Sequence, residues 1–201
     1  MNEKEFDQFS AFYGPHYPYM QEVLDKTMGM VQCAAYLPSY AGNVHVISRI
    51  KTPESMSQKI MEDGLPVTYA SALQEESDAI GIRVITDSIS SVYAYYDTFV
   101  RVLSAAGTKS SCYRILCTKD YIKKPKDSGY RSLHVILGVP SRDPDFPELK
   151  VELQIRTSIM DCWASLEHLV KYKQQAELTP ELLDVLELYR AEADLELQKW
   201  S

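Results

Sequence analysis

The stretch from Lys150 to Lys173 carries polar side chains of several chemical kinds at regular spacing. In its first part, Glu152, Gln154 and Arg156 alternate with apolar residues, which is the period of a strand that buries its other face. One strand therefore presents an acid, an amide and a guanidinium on the same side, a set that suits a charged ligand better than a packed core. A solvated sheet face is the alternative interpretation.

A helix predicted directly after this strand adds further polar groups. Thr157 suits its N-cap, because a threonine hydroxyl can accept a hydrogen bond from a free N–H group of the first turn. The apolar residues that follow fall on one stripe: Ile159, Trp163, Leu166 and Val170. An acid, a hydroxyl, an imidazole and a phenol fall on the other: Asp161, Ser165, His168 and Tyr172. For His168 and Tyr172, a structural role on the helix face explains the spacing equally well.

Two groups of basic residues lie elsewhere in the chain. Arg49 and Lys51 alternate to one side of a β-branched run and precede a helix start at Thr52. Basic side chains beside free backbone N–H groups suit a polyphosphate, although an exposed strand end would show the same pattern. The stretch from Lys119 to Arg131 holds five positive and two negative residues. This local excess favours one anionic ligand held at one place, and a solvated charge run is the alternative.

The overall composition is that of an ordinary globular protein, with 201 residues of which 45% are hydrophobic and 24% charged. We expect one domain with a substantial core. The net charge of −7 argues against a general nucleic-acid coat or an anionic membrane surface. No secretory signal and no bilayer-spanning apolar run is apparent, so a cytoplasmic location is expected. The four cysteines form no CxxC pair and are predicted to be buried, reduced thiols.

Alternation and β-branched residues predict five strands. They span residues 44–50, 78–86, 112–118, 130–139 and 149–156. In the second strand, strict alternation would place Asp78 and Arg83 on opposite faces. A site that uses both therefore requires the strand to begin after Asp78 or to contain a bulge. Gly81 within this strand indicates the close approach of another backbone or of a ligand.

Helices are predicted between and outside those strands. They cover 1–40 with a break at Gly14-Pro15, a segment capped by Thr52, 88–105, the segment after Thr157, and the stretch from Thr179 to about Trp200. Five strands interleaved with helices predict one α+β domain, in which a mixed five-stranded sheet is flanked by helices. We divide it into an N-terminal helical segment (1–43), a core (44–173) and a C-terminal helix (174–201).

Four stretches, in order, resemble the signature regions of the RelA/SpoT-type alarmone synthetases. They are SRIKTPES at 48–55, DAIGIR at 78–83, KDYIKKPKDSGYRSLH at 119–134 and VELQIRTSIMDCWASLEHLVKYK at 151–173. The chain is most similar to the small, single-domain members, because we expect no room in it for the hydrolase domain or the regulatory tail of the long forms.

The resemblance implies a pyrophosphokinase with a nucleotidyltransferase-like fold and Mg²⁺ as cofactor. Such enzymes transfer the β,γ-diphosphate of ATP to the ribose 3′-hydroxyl of GDP or GTP. The products are AMP and the alarmone ppGpp or pppGpp, the signal of the stringent response. Members of this size often assemble, so a homo-oligomer, dimer or tetramer, formed through the terminal helices is a further expectation.

The resemblance also assigns roles on the donor side. Asp78 and Glu152 would hold Mg²⁺, and Glu152 would be the base toward the 3′-hydroxyl. Two acids on separate strands also match the carboxylate count that Mg²⁺ prefers beside phosphate oxygens. The residues implied to bind ATP are Arg49 and Arg83 around adenine, and Lys51 and Ser55 near the phosphates.

On the acceptor side, the resemblance implies that Tyr130 stacks on guanine and that Asp161 faces the guanine edge. Many relatives have Asn at the position of Asp161. An acid there can accept from guanine N1–H and N2–H₂ together, so guanine selection is expected to persist. The residues implied near the acceptor's phosphates are Lys119, Lys123, Lys126 and His134, and Gln154 is placed with this group.

Two other classes of function stay open. A toxin-type relative would transfer the diphosphate to adenosine nucleotides or to the 3′ end of tRNA. It would need a broad basic surface, and the net charge of −7 argues against one. A non-catalytic nucleotide or RNA sensor would be expected to have lost an acid, whereas Asp78 and Glu152 are both present.

Overall fold

A five-stranded sheet forms the centre of the computed structural model, which describes residues 3–37, 40, 42–106, 113–172 and 180–200. Its strands lie in the order β1-β2-β5-β4-β3. Their bounds are β1 (Val44–Ile50), β2 (Ile80–Thr86), β3 (Arg114–Asp120), β4 (Leu133–Pro140) and β5 (Glu148–Thr157). β2 and β5 are parallel, and the other neighbouring pairs are antiparallel. The predicted mixed sheet and α+β class are confirmed.

Helices lie before, between and after the strands. They are α1 (Glu3–Tyr13), α2 (Tyr17–Tyr36), α3 (Pro53–Glu62), α4 (Ile89–Ala106), α5 (Ser158–Tyr172) and α6 (Pro180–Trp200). Gly14 has a φ of +58° and opens a short 3₁₀ turn between α1 and α2, so the break predicted there is confirmed. None of the described helices is long and apolar enough to cross a bilayer.

Threonines cap two of these helices, as predicted. Thr52 accepts a hydrogen bond from the Ser55 N–H group at 3.3 Å, and Pro53 occupies the first position of α3. Thr157 accepts from the Met160 N–H group at 3.4 Å at the start of α5. Thr52 lies two residues after the end of β1, and Thr157 is the last residue of β5. The two caps therefore fix where the chain leaves the sheet and enters a helix.

Three strand boundaries within the described residues differ from the predictions by two residues or more. β2 begins at Ile80 and not at Asp78, and β3 runs on to Asp120, so that Lys119 lies in a strand and not in a loop. β4 begins at Leu133 and not at Tyr130, because Tyr130 closes a turn in which its carbonyl accepts from the Lys126 N–H group at 3.2 Å. The predicted strand start at residue 112 and the helix cap at residue 179 lie outside the described residues.

The hydrophobic core lies between one face of the sheet and helices α2 and α4. Val151, Leu153 and Ile155 of β5 are fully buried in it, as their alternation predicted. Helix α2 contributes Met20, Val23, Leu24 and Val31 to the same cluster. The N-terminal helices are therefore packed onto the sheet.

The prediction that the cysteines are buried was wrong, and burial along α4 is uneven. On α4, Tyr95 and Phe99 are fully buried, whereas Tyr93 and Tyr96 are half-buried. The hydroxyl of Tyr95 donates to the Val31 carbonyl at 2.7 Å, which satisfies the one polar atom that this buried ring carries. The free cysteines Cys33, Cys117 and Cys162 are exposed and not buried. Cys112 and the side chains of Val170, Tyr172 and Leu182 lie outside the described residues.

Candidate functional site

The strand register gathers the predicted site residues on the sheet face opposite the core. Arg83 pairs with Gln154, Gln154 with His134, and His134 with Lys119. In the next row Arg49 pairs with Gly81, and Gly81 with Glu152. Directly paired residues project to the same face, so the two rows lie side by side.

A pocket opens where these rows meet the start of β2. It is lined by Ile47, Ser48, Arg49, Asp78, Gly81, Ile82, Arg83, Glu152 and Gln154. Gly81 carries no side chain, so the floor stays open between Arg49 and Glu152. The predicted role of Gly81, the close approach of a ligand, is consistent with this place.

Asp78 lies just before β2 and is held by two lysines. Lys51 Nζ donates to one of its carboxylate oxygens and Lys59 Nζ to the other, each at 2.7 Å. Burial alone would raise the pKa of Asp78, but the hydrogen bonds and charges of the two lysines bring it below its ordinary value. The carboxylate is therefore ionised at neutral pH.

Lys59 was not predicted as a site residue. It also forms an ion pair with Glu76 at 2.6 Å, and the two carboxylates keep the pKa of Lys59 above its ordinary value despite burial. The signal that could have identified it is its spacing, because Lys59 follows Ser55 by four residues on α3 and such residues share a helix face. Lys51 and Lys59 thus both contact Asp78, one at each carboxylate oxygen.

Glu152 is held on β5 by two donors. His134 Nδ1 lies 2.9 Å from one carboxylate oxygen, and the Gln154 amide donates to the other at 2.7 Å. Burial raises the pKa of Glu152 and so does the nearby charge of Asp78, but His134 and Gln154 outweigh both and lower it below its ordinary value. Two ionised carboxylates, Asp78 and Glu152, therefore line one pocket and repel each other.

This pair of acids fits a divalent cation. Two carboxylates that raise each other's energy gain most from a cation between them, and Mg²⁺ usually takes one or two carboxylates and completes its shell with phosphate oxygens and water. The ammonium groups of Lys51 and Lys59 supply compensating positive charge at Asp78.

His134 connects Glu152 to Tyr130. Its Nε2 lies 2.8 Å from the Tyr130 hydroxyl, on the other side of the ring from Glu152. Because an ionised carboxylate can only accept, Nδ1 of His134 must carry a proton. Burial is the main reason why the pKa of Tyr130 is raised, so its hydroxyl stays protonated. Two cations lie within cation–π range of its ring, Lys126 at 5.2 Å and Arg156 at 6.0 Å.

Asp161 lies between two arginines. Its Oδ1 is 3.0 Å from Arg83 Nη1 and 3.2 Å from Arg156 Nε, while Arg156 Nη2 donates to Gln154 at 2.7 Å. These ion-pair distances lack hydrogen-bond geometry, so four buried atoms find no hydrogen-bond partner in the described part of the chain: Arg83 Nε, Arg156 Nε, Arg156 Nη1 and Asp161 Oδ1. Buried polar groups are normally satisfied, so these atoms indicate a place where a ligand completes the contacts.

Arg156 is only 1% exposed, which contradicts the alternative of a solvated sheet face. Burial lowers its pKa, and a guanidinium nonetheless keeps its charge. Its place beside Glu152 and Gln154 on one strand face was predicted from the alternation, although the resemblance assigned Arg156 no binding role.

The remaining predicted residues lie toward the rim. Lys119 is exposed on β3 beside His134. Lys123 contacts the rings of Tyr93 and Trp200, with its ammonium 4.9 and 5.7 Å from their centroids. Ser165 and His168 are exposed on α5.

Comparison with known proteins agrees with this geometry. Residues 48–177 match the model of the region found in RelA and SpoT proteins. GTP pyrophosphokinase YwaC of Bacillus subtilis is 39% identical over 143 residues, which are 71% of this chain and 64% of YwaC. GTP pyrophosphokinase YjbM of the same organism is 25% identical over 179 residues, 89% of this chain and 78% of YjbM.

The fold also matches a solved structure. Small alarmone synthetase 2 from Bacillus subtilis superposes with a TM-score of 0.69 at 30% identity, over 92% of this chain and 95% of that one. The family match covers more than half of the chain and includes Asp78, Arg83 and Glu152. The chain therefore belongs to the RelA/SpoT family.

Proposed function

We propose that this chain is a GTP pyrophosphokinase, which transfers the β,γ-diphosphate of ATP to the ribose 3′-hydroxyl of GDP or GTP. The observation that carries the proposal is the pair of ionised carboxylates, Asp78 and Glu152, in one pocket between two sets of cationic side chains. Membership of the RelA/SpoT family and the names of its relatives support the same activity.

The donor nucleotide belongs on the side of β1 and α3. Arg49 and Arg83 offer flat guanidinium surfaces to adenine, and Lys51 and Ser55 lie at the start of α3, where the phosphates would bind. Lys59, in the last turn of α3, shares Asp78 with Lys51. A helix N-terminus with free N–H groups and nearby lysines attracts phosphate. When ATP binds, its phosphates would compete with Asp78 for Lys51 and Lys59.

The acceptor belongs on the side of β4 and the loop before it. Tyr130 would stack on guanine, and His134, Lys119, Lys123 and Lys126 would meet the acceptor's phosphates. Gln154 joins the two sides, because it donates to Glu152 and accepts from Arg156. Asp161 offers an acceptor atom, and Arg156 offers donor atoms, that lack hydrogen-bond partners in the described part of the chain. These atoms suit the N1–H, N2–H₂ and O6 groups of guanine.

In the transfer, the ribose O3′ attacks the β-phosphorus of ATP. The bond from that phosphorus to the oxygen bridging to the α-phosphate breaks, so AMP leaves and the 3′-hydroxyl proton passes to Glu152. Because the pKa of Glu152 is lowered, it is a weak base, and its contribution is mainly to orient the hydroxyl. Asp78 and Glu152 would hold Mg²⁺, which supplies charge neutralisation for the diphosphate.

Self-assembly and a cytoplasmic location are further parts of this proposal. Helix α6 exposes Leu183, Leu188 and Leu195, which would suit contact with a second copy. Light scattering coupled to size exclusion would give the oligomeric state.

The activity is tested by incubating the protein with Mg²⁺ and ATP labelled in the β-phosphate, together with GDP, GTP, ATP or tRNA in separate reactions. We expect label in products of GDP and GTP and release of AMP. Labelled product only in the reactions with ATP or tRNA as acceptor, a 3′-pyrophosphorylated adenosine nucleotide or labelled tRNA, would indicate the toxin-type activity. No labelled product from a protein that binds both nucleotides would indicate a sensor and contradict the proposal.

A further inference from the structure

The C-terminal helix α6 lies against the loop that carries the predicted acceptor-binding residues. We call residues 121–132 the acceptor loop; it holds Lys123, Lys126 and Tyr130. Three positions of α6 contact it or its base, at Arg190, Asp194 and Trp200. Arg190 and Asp194 are four residues apart and so lie on one side of α6, and Trp200 meets the base of the loop from the last turn of the helix.

The strongest contact joins Asp194 to Arg131 at the end of the acceptor loop. Arg131 Nη2 donates to the Asp194 carboxylate, and Arg131 Nη1 donates across the loop to the Ile122 carbonyl at 2.7 Å. The Arg131 side chain is mostly buried, and Ile122 is fully buried. One guanidinium therefore ties both ends of the acceptor loop to α6.

A second contact fixes the start of the loop. Trp200 stacks on Tyr93 with ring centroids 4.8 Å apart, and Lys123 lies within cation–π range of both rings. The Tyr93 hydroxyl donates to Asp120 at 2.9 Å. Asp120 in turn accepts from the N–H groups of Ile122 and Lys123 at 3.1 and 3.0 Å.

The third contact lies at Gly129, which has a φ of +91°. A Cβ atom at this position would lie 3.3 Å from Nε of Arg190, so α6 packs closely over the turn that leads into Tyr130. Glycine is favoured here both by the left-handed conformation and by this approach.

Helix α6 is itself anchored to the site. Glu196 accepts from the Ile89 N–H group with one oxygen and from the Thr157 hydroxyl with the other, each at 3.1 Å. Thr157 ends β5, the strand that carries Glu152. Glu196 therefore fixes α6 relative to β5, the strand that carries Glu152. Asp194 and Trp200 fix α6 relative to the acceptor loop.

We propose that α6 positions the acceptor loop, and that Asp194 and Trp200 are positioning residues for the acceptor nucleotide. The inference rests on the proposed function, because it assigns the acceptor to this loop. The contacts of α6 are on the acceptor side, so their loss should weaken GDP binding and leave ATP binding unchanged.

The test measures the dissociation constants of GDP and of a non-hydrolysable ATP analogue by calorimetry for Asp194→Asn and Trp200→Ala. We expect the GDP constant to rise about three- to fivefold in each variant and the ATP-analogue constant to stay within about twofold. Glu192→Gln is the matched control, because Glu192 is exposed and lies two positions from both Arg190 and Asp194, on the other side of α6.

Two further measurements separate positioning from mere stabilisation. The single variants Arg131→Asp and Asp194→Arg should each weaken GDP binding. The double variant that carries both changes restores an ion pair of opposite sense, so its GDP binding should recover part of that loss. Hydrogen exchange in Asp194→Asn should accelerate in the acceptor loop and not in β2 or β5.

The positioning role would be overturned if the dissociation constant of GDP were unchanged in folded variants, or if the constants of GDP and the ATP analogue rose equally. It would also be overturned if the charge-swapped double variant recovered none of the lost GDP binding. Wild-type protein that transfers no diphosphate to GDP or GTP would overturn the proposed function instead, so the two failures are distinguishable.

Discussion

Asp78 and Glu152 reach the same ionised state through different neighbours. Two lysine ammonium groups compensate Asp78, whereas an imidazole and a neutral amide hold Glu152. In the proposed reaction, Asp78 would exchange its lysines for a cation as the phosphates bind, whereas Glu152 would keep its orientation. This difference favours Asp78 as the more exchangeable ligand and Glu152 as the fixed one.

We expect Glu152→Gln and Asp78→Asn to abolish transfer without unfolding the protein. Each change removes one negative charge at nearly constant volume, and loss of a strong electrostatic contact costs about 3–4 kcal/mol in the transition state. Turnover is measured with labelled ATP and GDP, and circular dichroism checks the fold. Asp63→Asn, an exposed acid at the end of α3, is the control. Near-normal turnover in either folded variant would refute the assignment of that acid.

Tyr130→Ala should weaken GDP or GTP binding about 10- to 100-fold, as the energy of base stacking implies, with ATP binding nearly unchanged. Tyr130→Phe is the matched control, because it keeps the ring and removes only the hydroxyl that contacts His134. Acceptor titration at saturating ATP provides the measurement. If the variant needs a higher concentration of ATP, and not of the acceptor, to reach half-maximal turnover, the two nucleotide sites are reversed.

Asp161→Ala should have two effects, because Asp161 is the carboxylate between Arg83 and Arg156. Leaving the buried Arg156 without this counter-ion should lower the free energy of unfolding by about 3–5 kcal/mol, measured by urea denaturation. The preference for GDP over IDP, which lacks the 2-amino group, should narrow about tenfold if Asp161 accepts from that group. If the variant is destabilised but still prefers GDP over IDP as strongly as wild type, Asp161 stabilises the buried arginines and does not select guanine.

At the scale of elements, a buried pair joins the N-terminal helices to the loop between β4 and β5. His16 Nδ1 lies 2.7 Å from Asp143 Oδ2, and both side chains are buried. The other oxygen of Asp143 accepts from the N–H groups of Asp145 and Phe146 at 2.9 and 3.2 Å. One carboxylate thus shapes the loop and holds it against the turn between α1 and α2.

Asp143→Ala should therefore lower the free energy of unfolding by about 3 kcal/mol, because it leaves the buried His16 ring and the N–H groups of Asp145 and Phe146 without this acceptor. Asp145→Ala changes an exposed neighbour in the same loop and should stay within about 0.5 kcal/mol of wild type. Urea unfolding of both variants gives the comparison. Equal stabilities would show that the contacts of Asp143 contribute nothing to holding the N-terminal helices.

At the scale of the whole molecule, the two site acids link stability to pH. Their folded-state pKa values are lowered, so their stabilising contribution is fully present above the unfolded values of about 3.9 and 4.3. It is lost as the pH falls through the lower folded values. The double variant Asp78→Asn with Glu152→Gln should accordingly lose less stability than wild type between about pH 5 and about pH 3. Urea unfolding across this range measures the loss, and an identical loss in both proteins would contradict the lowered pKa values of the two acids.

The sequence by itself determined much of the local structure and the family, and it predicted the residues of the site. Period-two alternation located β1 and β5, and Thr52 and Thr157 marked two helix starts, because such signals depend on neighbouring residues alone. The order of the motifs identified the family, since only their combination is specific. The same motifs predicted which side chains would meet, from Arg49 to Glu152.

Only the tertiary structure decided how those side chains are paired. The strand register places Gly81 between Arg49 and Glu152, and long-range packing buries Arg156 and turns Asp161 toward Arg83. Alternation cannot distinguish a solvated face from one covered by a following helix, because burial depends on what packs against the strand. The contacts of α6 with the acceptor loop have the same cause: they join residues far apart in the chain, and no local pattern encodes such a meeting.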